Sequence, residues 1–301
     1  MIKSLIIGGL ALGFLAWIFT ACSGSSDSRS SKTNKPRIGV SIPPQIFFVR
    51  NIAGDRVDVS CLLSSSSDPE TFEPSVNQFR ELSEADAYLE LGTLPFEKMV
   101  VERMRQNRRP LPVYSMNEGI EPLTGTHSHH HDQGNHDHDE QDPHIWSSIK
   151  NAKVIALNTL NALVATDSVN EDVYRANYAR LAQRIDSIDY LFSKNIASAD
   201  EPKAFVVWHP SLSYLARDYG MTQIPLVDAG KESSVKSYIG RIEKARNLKG
   251  TVFFFQKEFD TERANTIARD AGISLVEINP MNEEWEDEIQ KIYDAFTIDR
   301  P

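Results

Sequence analysis

The chain alternates between short apolar runs rich in β-branched residues and longer segments in which apolar residues recur every three or four positions. The first pattern is typical of buried parallel strands, and the second is typical of amphipathic helices. Strands are predicted in two series, at 37–42, 57–63, 87–91 and 111–114, and then at 204–208, 223–227, 251–255 and 274–278. This α/β pattern predicts two lobes with parallel sheets flanked by helices.

Capping signals and apolar spacing indicate where the main helices begin and end. The segment from Ser75 to Gln78 reads as a capping box, and helices are also predicted at 234–247 and 261–271. A second capping box, Ser168 to Glu171, begins an apolar stripe with no Gly or Pro before about Ala197. The stripe predicts one helix of nearly 30 residues, on the order of 40 Å long, that joins the lobes rigidly. Two shorter helices with a break near 186–189 are the alternative.

The beginning of the chain has the pattern of an export signal. Lys3 precedes an apolar run at 5–19 that is short for a membrane-spanning helix, and small residues lead directly to Cys22. A cysteine in this place resembles a bacterial lipobox, in which cleavage leaves Cys22 as the lipid-bearing N-terminus. An uncleaved anchor helix is the alternative. Both interpretations place the rest of the chain outside the cytoplasm, tethered to a membrane. The resemblance to a lipobox implies a bacterial cell membrane, with the protein facing the periplasm.

Composition then suggests how the rest of the chain is divided. The Ser-rich stretch after Cys22 buries almost nothing and is typical of a flexible tether. The predicted organisation is a signal peptide at 1–21, a lipid-anchored linker at 22–35, a first α/β lobe at 36–166, a connecting helix at 167–199 and a second α/β lobe at 200–301.

Charge and histidine content narrow the class of ligand. Lys and Arg total 32 against 42 Asp and Glu, a net charge of −10, which disfavours nucleic acid as a partner. Of the eight histidines, six lie between His127 and His138, and the other two are His144 and His209. This uneven distribution points to metal ions.

The His-rich loop at 125–142 has no hydrophobic period and interleaves histidine with acidic residues. Imidazoles and carboxylates at this density chelate divalent cations weakly, Zn²⁺ above all. The residues predicted to capture metal in this auxiliary way are His127, His129, His130, His131, His136 and His138. The sequence has no His-Glu-x-x-His or Cys-x-x-Cys motif, and a loop without a scaffold cannot preorganise a catalytic metal site.

Four polar residues follow predicted strands and are candidates for a fixed site. They are Glu70, His144, His209 and Asn279, two from each lobe. Ligands of open α/β sheets bind outside the carboxyl ends of the strands, so facing lobes would bring these side chains into one cleft. This set of nitrogen and oxygen donors suits Zn²⁺ or, with more oxygen character, Mn²⁺.

The segments around these residues resemble the TroA-like solute-binding proteins of bacterial ABC transporters for zinc and manganese. Asp68-Pro-Glu-Thr-Phe-Glu-Pro74 is similar to the family's Asp-Pro-His-x-x-Glu-Pro segment, and the His-rich loop before Asp142-Pro-His-Ile-Trp146 is similar to its zinc-type members. Segments 208–220, 255–259 and 278–281 resemble later blocks of the family. The resemblance covers essentially the whole chain after the signal. It implies a metal-type periplasmic-binding-protein fold.

By this resemblance, His144 and His209 carry over directly as metal ligands. Glu70 stands where the family has its first histidine, and a carboxylate can still coordinate. Asn279 stands where the family has an aspartate, and its neutral amide is a poorer donor. Water can complete the shell, as can another acid from the set Glu258, Glu283 and Glu284.

The resemblance implies a monomeric binding protein, not an enzyme, that delivers Zn²⁺ to an ABC permease. Mn²⁺ is the alternative cargo. Two other functions remain open. One is a zinc-dependent extracytoplasmic hydrolase, with Glu73 or Glu258 as its general base. The other is a metal-buffering or adhesive surface lipoprotein without a permease.

Overall fold

Parallel pairing organises both halves of the chain. The structure is a computed structural model that describes residues 35–107, 109–124, 141–197, 204–227, 235–247, 252–256 and 261–297. The described strands form two four-stranded sheets, and every pair of neighbouring strands is parallel. Within these ranges, no helix combines the length and apolar character that a membrane crossing requires.

The first lobe is built on a sheet with the strand order β2-β1-β3-β4. Its strands are β1 (Arg37–Val40), β2 (Asp58–Cys61), β3 (Ala87–Glu90) and β4 (Val113–Ser115). The helices between them are α1 (Pro43–Ala53), α2 (Val76–Ser83) and α3 (Glu97–Arg105). The predicted capping box at the start of α2 is confirmed, because Ser75 Oγ accepts the backbone N–H of Gln78 and the Gln78 side chain returns to the Ser75 backbone.

The second lobe repeats this topology with the strand order β6-β5-β7-β8. Its strands are β5 (Ala204–Val207), β6 (Thr222–Pro225), β7 (Val252–Gln256) and β8 (Ser274–Ile278). Its helices are α6 (Ser213–Asp218), α7 (Val235–Asn247), α8 (Thr261–Ala271) and α9 (Trp285–Thr297). All eight predicted strands are therefore present, each within two residues of its expected bounds. The predicted fold class is confirmed.

The long helix between the lobes runs without the break that was the alternative near 186–189. Helix α4 (Ile149–Thr166) precedes it; α5 (Glu171–Phe192) then continues directly into a π-helical turn, Ser193–Ala197. Helix α5 packs against α1 and α4 of the first lobe. Its Asp189 also accepts a hydrogen bond from Tyr219 Oη of the second lobe at 2.6 Å.

The capping box predicted at Ser168 is wrong. Residues Ser168–Asn170 form a short 3₁₀ helix, and Asn170, the residue before α5, makes no side-chain capping bond. The carboxylate of Asp167 holds this junction instead. It accepts the hydroxyl of Tyr174 at 2.6 Å and the side-chain amide of Asn170 at 2.7 Å. A buried tyrosine hydroxyl needs a partner, and that need decides the local geometry.

Alternation along the strands of the second sheet divides the core into two clusters. Phe205 and Phe254 face a large cluster that also contains residues of the first lobe, whereas Val206 and Phe253 face a smaller cluster on the other side of the sheet. Because side chains alternate along a strand, one sheet serves both clusters. The large cluster is shared by the two lobes, so they are packed together as well as joined by a helix.

Candidate metal centre

Glu70 lies in the loop between β2 and α2, on a turn that Asp68 stabilises. Asp68 Oδ1 accepts the backbone N–H of Glu70 at 2.9 Å, and its Oδ2 accepts the Thr71 hydroxyl at 2.9 Å. Asp68 thereby fixes the backbone that carries the Glu70 carboxylate. The Glu70 side chain is 20% exposed, so its carboxylate is only partly solvated.

His144 is the most enclosed member of the site, with 3% of its side chain exposed. Asp142 Oδ1 lies 2.9 Å from His144 Nδ1 and also accepts the His144 backbone N–H at 2.9 Å. Burial lowers the pKa of His144, but the hydrogen bond and charge of Asp142, together with Glu70 and Asp68, raise it overall. When the ring is neutral, the carboxylate holds the Nδ1 proton, and the Nε2 lone pair is then the one that a metal could use.

His209 follows β5 in the second lobe, two residues after its last strand residue. The preceding Trp208 is anchored by stacking on Phe253, with ring centroids 6.3 Å apart and planes 9° apart. The rings of His209 and His144 meet edge to face, with centroids 5.1 Å apart. A rigid strand end therefore places the second imidazole opposite the first.

The three side chains form a triangle of donor atoms that matches one face of a zinc tetrahedron. His144 Nε2 lies 3.3 Å from His209 Nε2 and 3.6 Å from Glu70 Oε1, and His209 Nε2 lies 3.3 Å from Glu70 Oε1. Tetrahedral bonds of about 2.0–2.1 Å place donor atoms about 3.3–3.4 Å apart, close to these three distances. The spacing therefore fits tetrahedral coordination of zinc.

Asn279, the fourth predicted residue, follows β8 and takes part in a turn of its own. Its Oδ1 accepts the backbone N–H of Met281 at 3.0 Å, and its backbone N–H donates to buried Glu288 at 2.9 Å. Among the other acids considered, Glu283 pairs with Arg50 at 3.4 Å. Among the described histidines, cysteines and acids, Glu70, His144 and His209 form a group whose donor atoms all lie within 4.8 Å of one another.

Sequence reasoning missed the role of an Asx-Pro turn that occurs three times. Asp68, Asp142 and Asn279 each precede a proline, and each side-chain oxygen accepts the backbone N–H two residues ahead at 2.9–3.0 Å. In the first two turns, the residue two positions ahead is Glu70 or His144. The repeated Asp-Pro step before a donor residue was the visible signal, because Asx side chains hydrogen-bond to the backbone two residues on.

Two other predicted features lie outside the described residues. They are Cys22, the predicted lipidation site, and the six histidines of the auxiliary loop. The stem of that loop is described: Thr124 and Gln141 form an antiparallel bridge. Tyr214 Oη of the second lobe accepts the N–H of Leu123 at 3.1 Å and donates to the Asp142 carbonyl at 3.0 Å. Both sides of the stem are thus fixed beside the site.

Hydrogen bonds between the lobes keep the two halves of the site in register. Trp146 Nε1 donates to the Pro280 carbonyl at 2.8 Å, and Trp285 Nε1 donates to the Trp146 carbonyl at 2.7 Å. Ser148 also donates to the Asp218 carboxylate. These bonds lie within six residues of His144 along the first lobe, so the position of its ring relative to the second lobe is well defined.

Comparison with known proteins identifies the family. A family model described as zinc-uptake complex component A, periplasmic, matches residues 38–296. The chain belongs to this family. The resemblance to TroA-like solute-binding proteins is thereby confirmed.

Relatives of this zinc-uptake family match over almost the whole chain. The zinc-binding protein AdcA of Streptococcus pyogenes serotype M3 is 24% identical over 99% of this chain and 59% of its own length. The zinc-binding lipoprotein AdcA of Streptococcus pneumoniae strain R6 is 25% identical over 92% of this chain and 55% of its own. The chain thus spans less than two thirds of these relatives. A crystal structure of ZnuA superposes with a TM-score of 0.74 at 30% identity and covers 86% of this chain and 96% of that one.

Proposed function

We propose that this chain binds one Zn²⁺ through Glu70, His144 and His209 and delivers it to the permease of a bacterial ABC transporter. The observation that carries the proposal is the donor triangle, whose sides of 3.3, 3.3 and 3.6 Å suit tetrahedral zinc. Membership of the zinc-uptake family and the zinc-binding relatives support the same cargo.

The fourth coordination position is open to water or to Asn279. The amide oxygen of Asn279 already accepts the N–H of Met281, so water is the better candidate and Asn279 the weaker one. The carboxylate of Glu70 is also a good ligand for Mn²⁺, which is the alternative cargo. Competition between the two metals for the stripped protein will decide between them.

We also propose that the site is a carrier site rather than a catalytic one. A zinc hydrolase needs a general base beside its metal-bound water. Glu73, one candidate, is exposed on the loop that follows Glu70, and Glu258, the other, lies outside the described residues. A peptidase or esterase activity that requires His144 would overturn this part of the proposal.

Anchoring and metal capture complete the proposal. Lipid on Cys22 would hold the protein at the outer face of a cell membrane, as the name of one lipoprotein relative suggests for that protein. The protein would act there as a monomer. The His-rich loop would collect zinc weakly beside the fixed site. Release of the protein from membranes by Cys22→Ala, with metal binding intact, will test the anchor.

Titration calorimetry of the metal-stripped protein will test the binding site. We expect one tight zinc equivalent that survives when residues 125–140 are replaced by a two-residue Asn-Gly turn, which suits the antiparallel Thr124–Gln141 stem. The double variant His144→Ala, His209→Ala should lose this equivalent. The matched control, His129→Ala with His131→Ala, removes as many histidines from the loop and should keep it. Tight binding that is lost with the loop would place the site elsewhere.

A further inference from the structure

A carboxylate of the protein itself occupies the point in the first sheet where the strand order reverses. The reversal lies between β1 and β3, and a crevice at such a position commonly binds a ligand. In this protein the side chain of Glu97, the first residue of α3, lies there and is only 2% exposed. Its Oε1 accepts the N–H of Leu91 at 2.6 Å and the hydroxyl of Ser41, which follows β1.

The other carboxylate oxygen of Glu97 organises the loop between β3 and α3. Oε2 accepts the backbone N–H groups of Gly92, Thr93 and Leu94 at 2.8, 3.2 and 3.0 Å. With Leu91, four consecutive amides point at one side chain. Gly92 has φ +86°, and a Cβ there would lie 2.5 Å from Ser115 Oγ, so the loop needs glycine at this position. The β3–α3 loop, residues 91–96, is therefore held in one conformation.

The same loop contacts both first-lobe segments that carry proposed zinc ligands. Thr93 Oγ1 donates to the carbonyl of Pro143, the residue before His144, at 2.8 Å. The ring of Phe96 packs edge to face on Phe72, two residues after Glu70, with centroids 5.0 Å apart. A single buried carboxylate thus supports the backbone on which the two ligands stand.

We infer that Glu97 and Thr93 are positioning residues for the metal site: Glu97 fixes the β3–α3 loop, and Thr93 transmits that order to His144 through the Pro143 carbonyl. The inference rests on the proposed function. Metal affinity depends on groups behind the ligands because they fix ligand orientation, and losing one typically costs ten- to hundredfold. The Thr93 bond lies one step further from the ion, so its loss should cost about five- to tenfold.

Thr93 offers a matched pair of variants. Thr93→Val keeps the shape but removes the donor to Pro143, whereas Thr93→Ser keeps the hydroxyl. We expect zinc affinity five- to tenfold below wild type for the valine variant and within twofold of wild type for the serine variant. Equal affinities for wild type and Thr93→Val would overturn the inference, and so would a serine variant as weak as the valine variant.

Two further measurements separate positioning from general stability. The visible absorption of bound Co²⁺ reports ligand geometry, and it should change in Thr93→Val but not in Thr93→Ser. In a His144→Ala background, Thr93→Val should have no further effect on zinc affinity, because the ligand through which it acts is gone. An undiminished effect there would mean that Thr93 acts on general stability, which contradicts the inference.

Glu97→Gln tests whether the carboxylate that fixes the β3–α3 loop matters for zinc binding. The glutamine amide has one acceptor oxygen instead of two, so either the Leu91 N–H or the three N–H groups that face Oε2 lose their acceptor, and zinc affinity should fall at least as far as in Thr93→Val. If this variant fails to fold, the Thr93 pair still decides. The proposed function fails separately, if His144→Ala with His209→Ala binds zinc as wild type does. If that double variant loses zinc while Thr93→Val and Glu97→Gln keep it, only the positioning inference fails.

Discussion

Replacing Asp142 by Asn changes the charge behind His144 and leaves every proposed ligand atom in place. Asp142 accepts both the backbone N–H and the ring Nδ1–H of His144 at 2.9 Å. Asparagine can keep an oxygen at that position, so the hydrogen-bond acceptor survives and the negative charge does not. The substitution therefore isolates the electrostatic part of the interaction.

The expected loss follows from the burial of this carboxylate. Its side chain is 5% exposed, so solvent screens its charge weakly. Losing a group that orients a metal-bound histidine costs ten- to hundredfold in affinity, and here the acceptor remains, so we expect the lower end, about tenfold or ~1.4 kcal/mol. The pKa of His144 should also fall, because burial then acts without the charge that opposes it.

Zinc affinity measured by chelator competition at pH 8 and pH 5.5 will test this reasoning. At pH 8 Asp142→Asn should bind about tenfold more weakly than wild type. At pH 5.5 the gap should narrow, because the wild-type His144 is more strongly protonated and protons compete with zinc. Asp167→Asn is the control: its carboxylate accepts the hydroxyl of Tyr174 and the side-chain amide of Asn170 at the start of α5, and these partners do not belong to the site. An unchanged affinity for Asp142→Asn at both pH values would refute the argument.

Other perturbations have equally measurable outcomes. Glu70→Gln removes the charged ligand, so in calorimetry zinc affinity should fall by more than the ten- to hundredfold of an outer-shell loss, while the exposed neighbour change Glu73→Gln should have no effect. The pKa of His144 is raised above 6.5, so the rise in melting temperature on adding zinc should shrink as pH falls from 8 to 5.5. Without zinc, His144 should stabilise the protein below pH 6.5, and that contribution should disappear as pH rises through its folded pKa. Trp285→Phe removes the bond to the Trp146 carbonyl and should cost about 1–3 kcal/mol in urea unfolding.

The fold could be predicted from the sequence because its strands are short apolar runs at regular spacing. Such runs are rarely compatible with another secondary structure. The long apolar stripe from Tyr174 to Phe192 predicted a helix, and the open question was whether that helix is interrupted. The start of that helix could not be predicted as well. Ser168 and Glu171 have the spacing of a capping box, but the carboxylate of Asp167 accepts the hydroxyl of Tyr174, seven residues further along the chain. A side-chain hydrogen bond outside the capping-box spacing therefore holds this boundary.

The proximity of the three candidate ligands was predictable to the extent that these residues follow strands. Glu70, His144 and His209 could be named because strand ends converge in this kind of fold. Glu97 could not, since its role depends on four backbone amides of residues 91–94 meeting one carboxylate. Backbone hydrogen bonds do not depend on residue type, so they cannot be seen in the sequence. In this loop only Gly92 is a visible sign, because few residues other than glycine adopt its positive φ.

The charge of the site explains why a residue that does not touch the ion should matter to its binding. In the proposed site, Zn²⁺ would bring two positive charges to a place where Glu70 supplies one negative charge and the imidazoles, like the weak candidate Asn279, supply none. A dication in a poorly solvated site needs a second anion nearby. Burial raises the pKa of Asp142, but its hydrogen bond to His144 and the charge of that ring lower it overall, so the carboxylate is ionised. Asp142, which lies behind His144, therefore supplies the second negative charge that the neutral Asn279 lacks. This is why Asp142→Asn should weaken zinc binding although it keeps every proposed ligand atom.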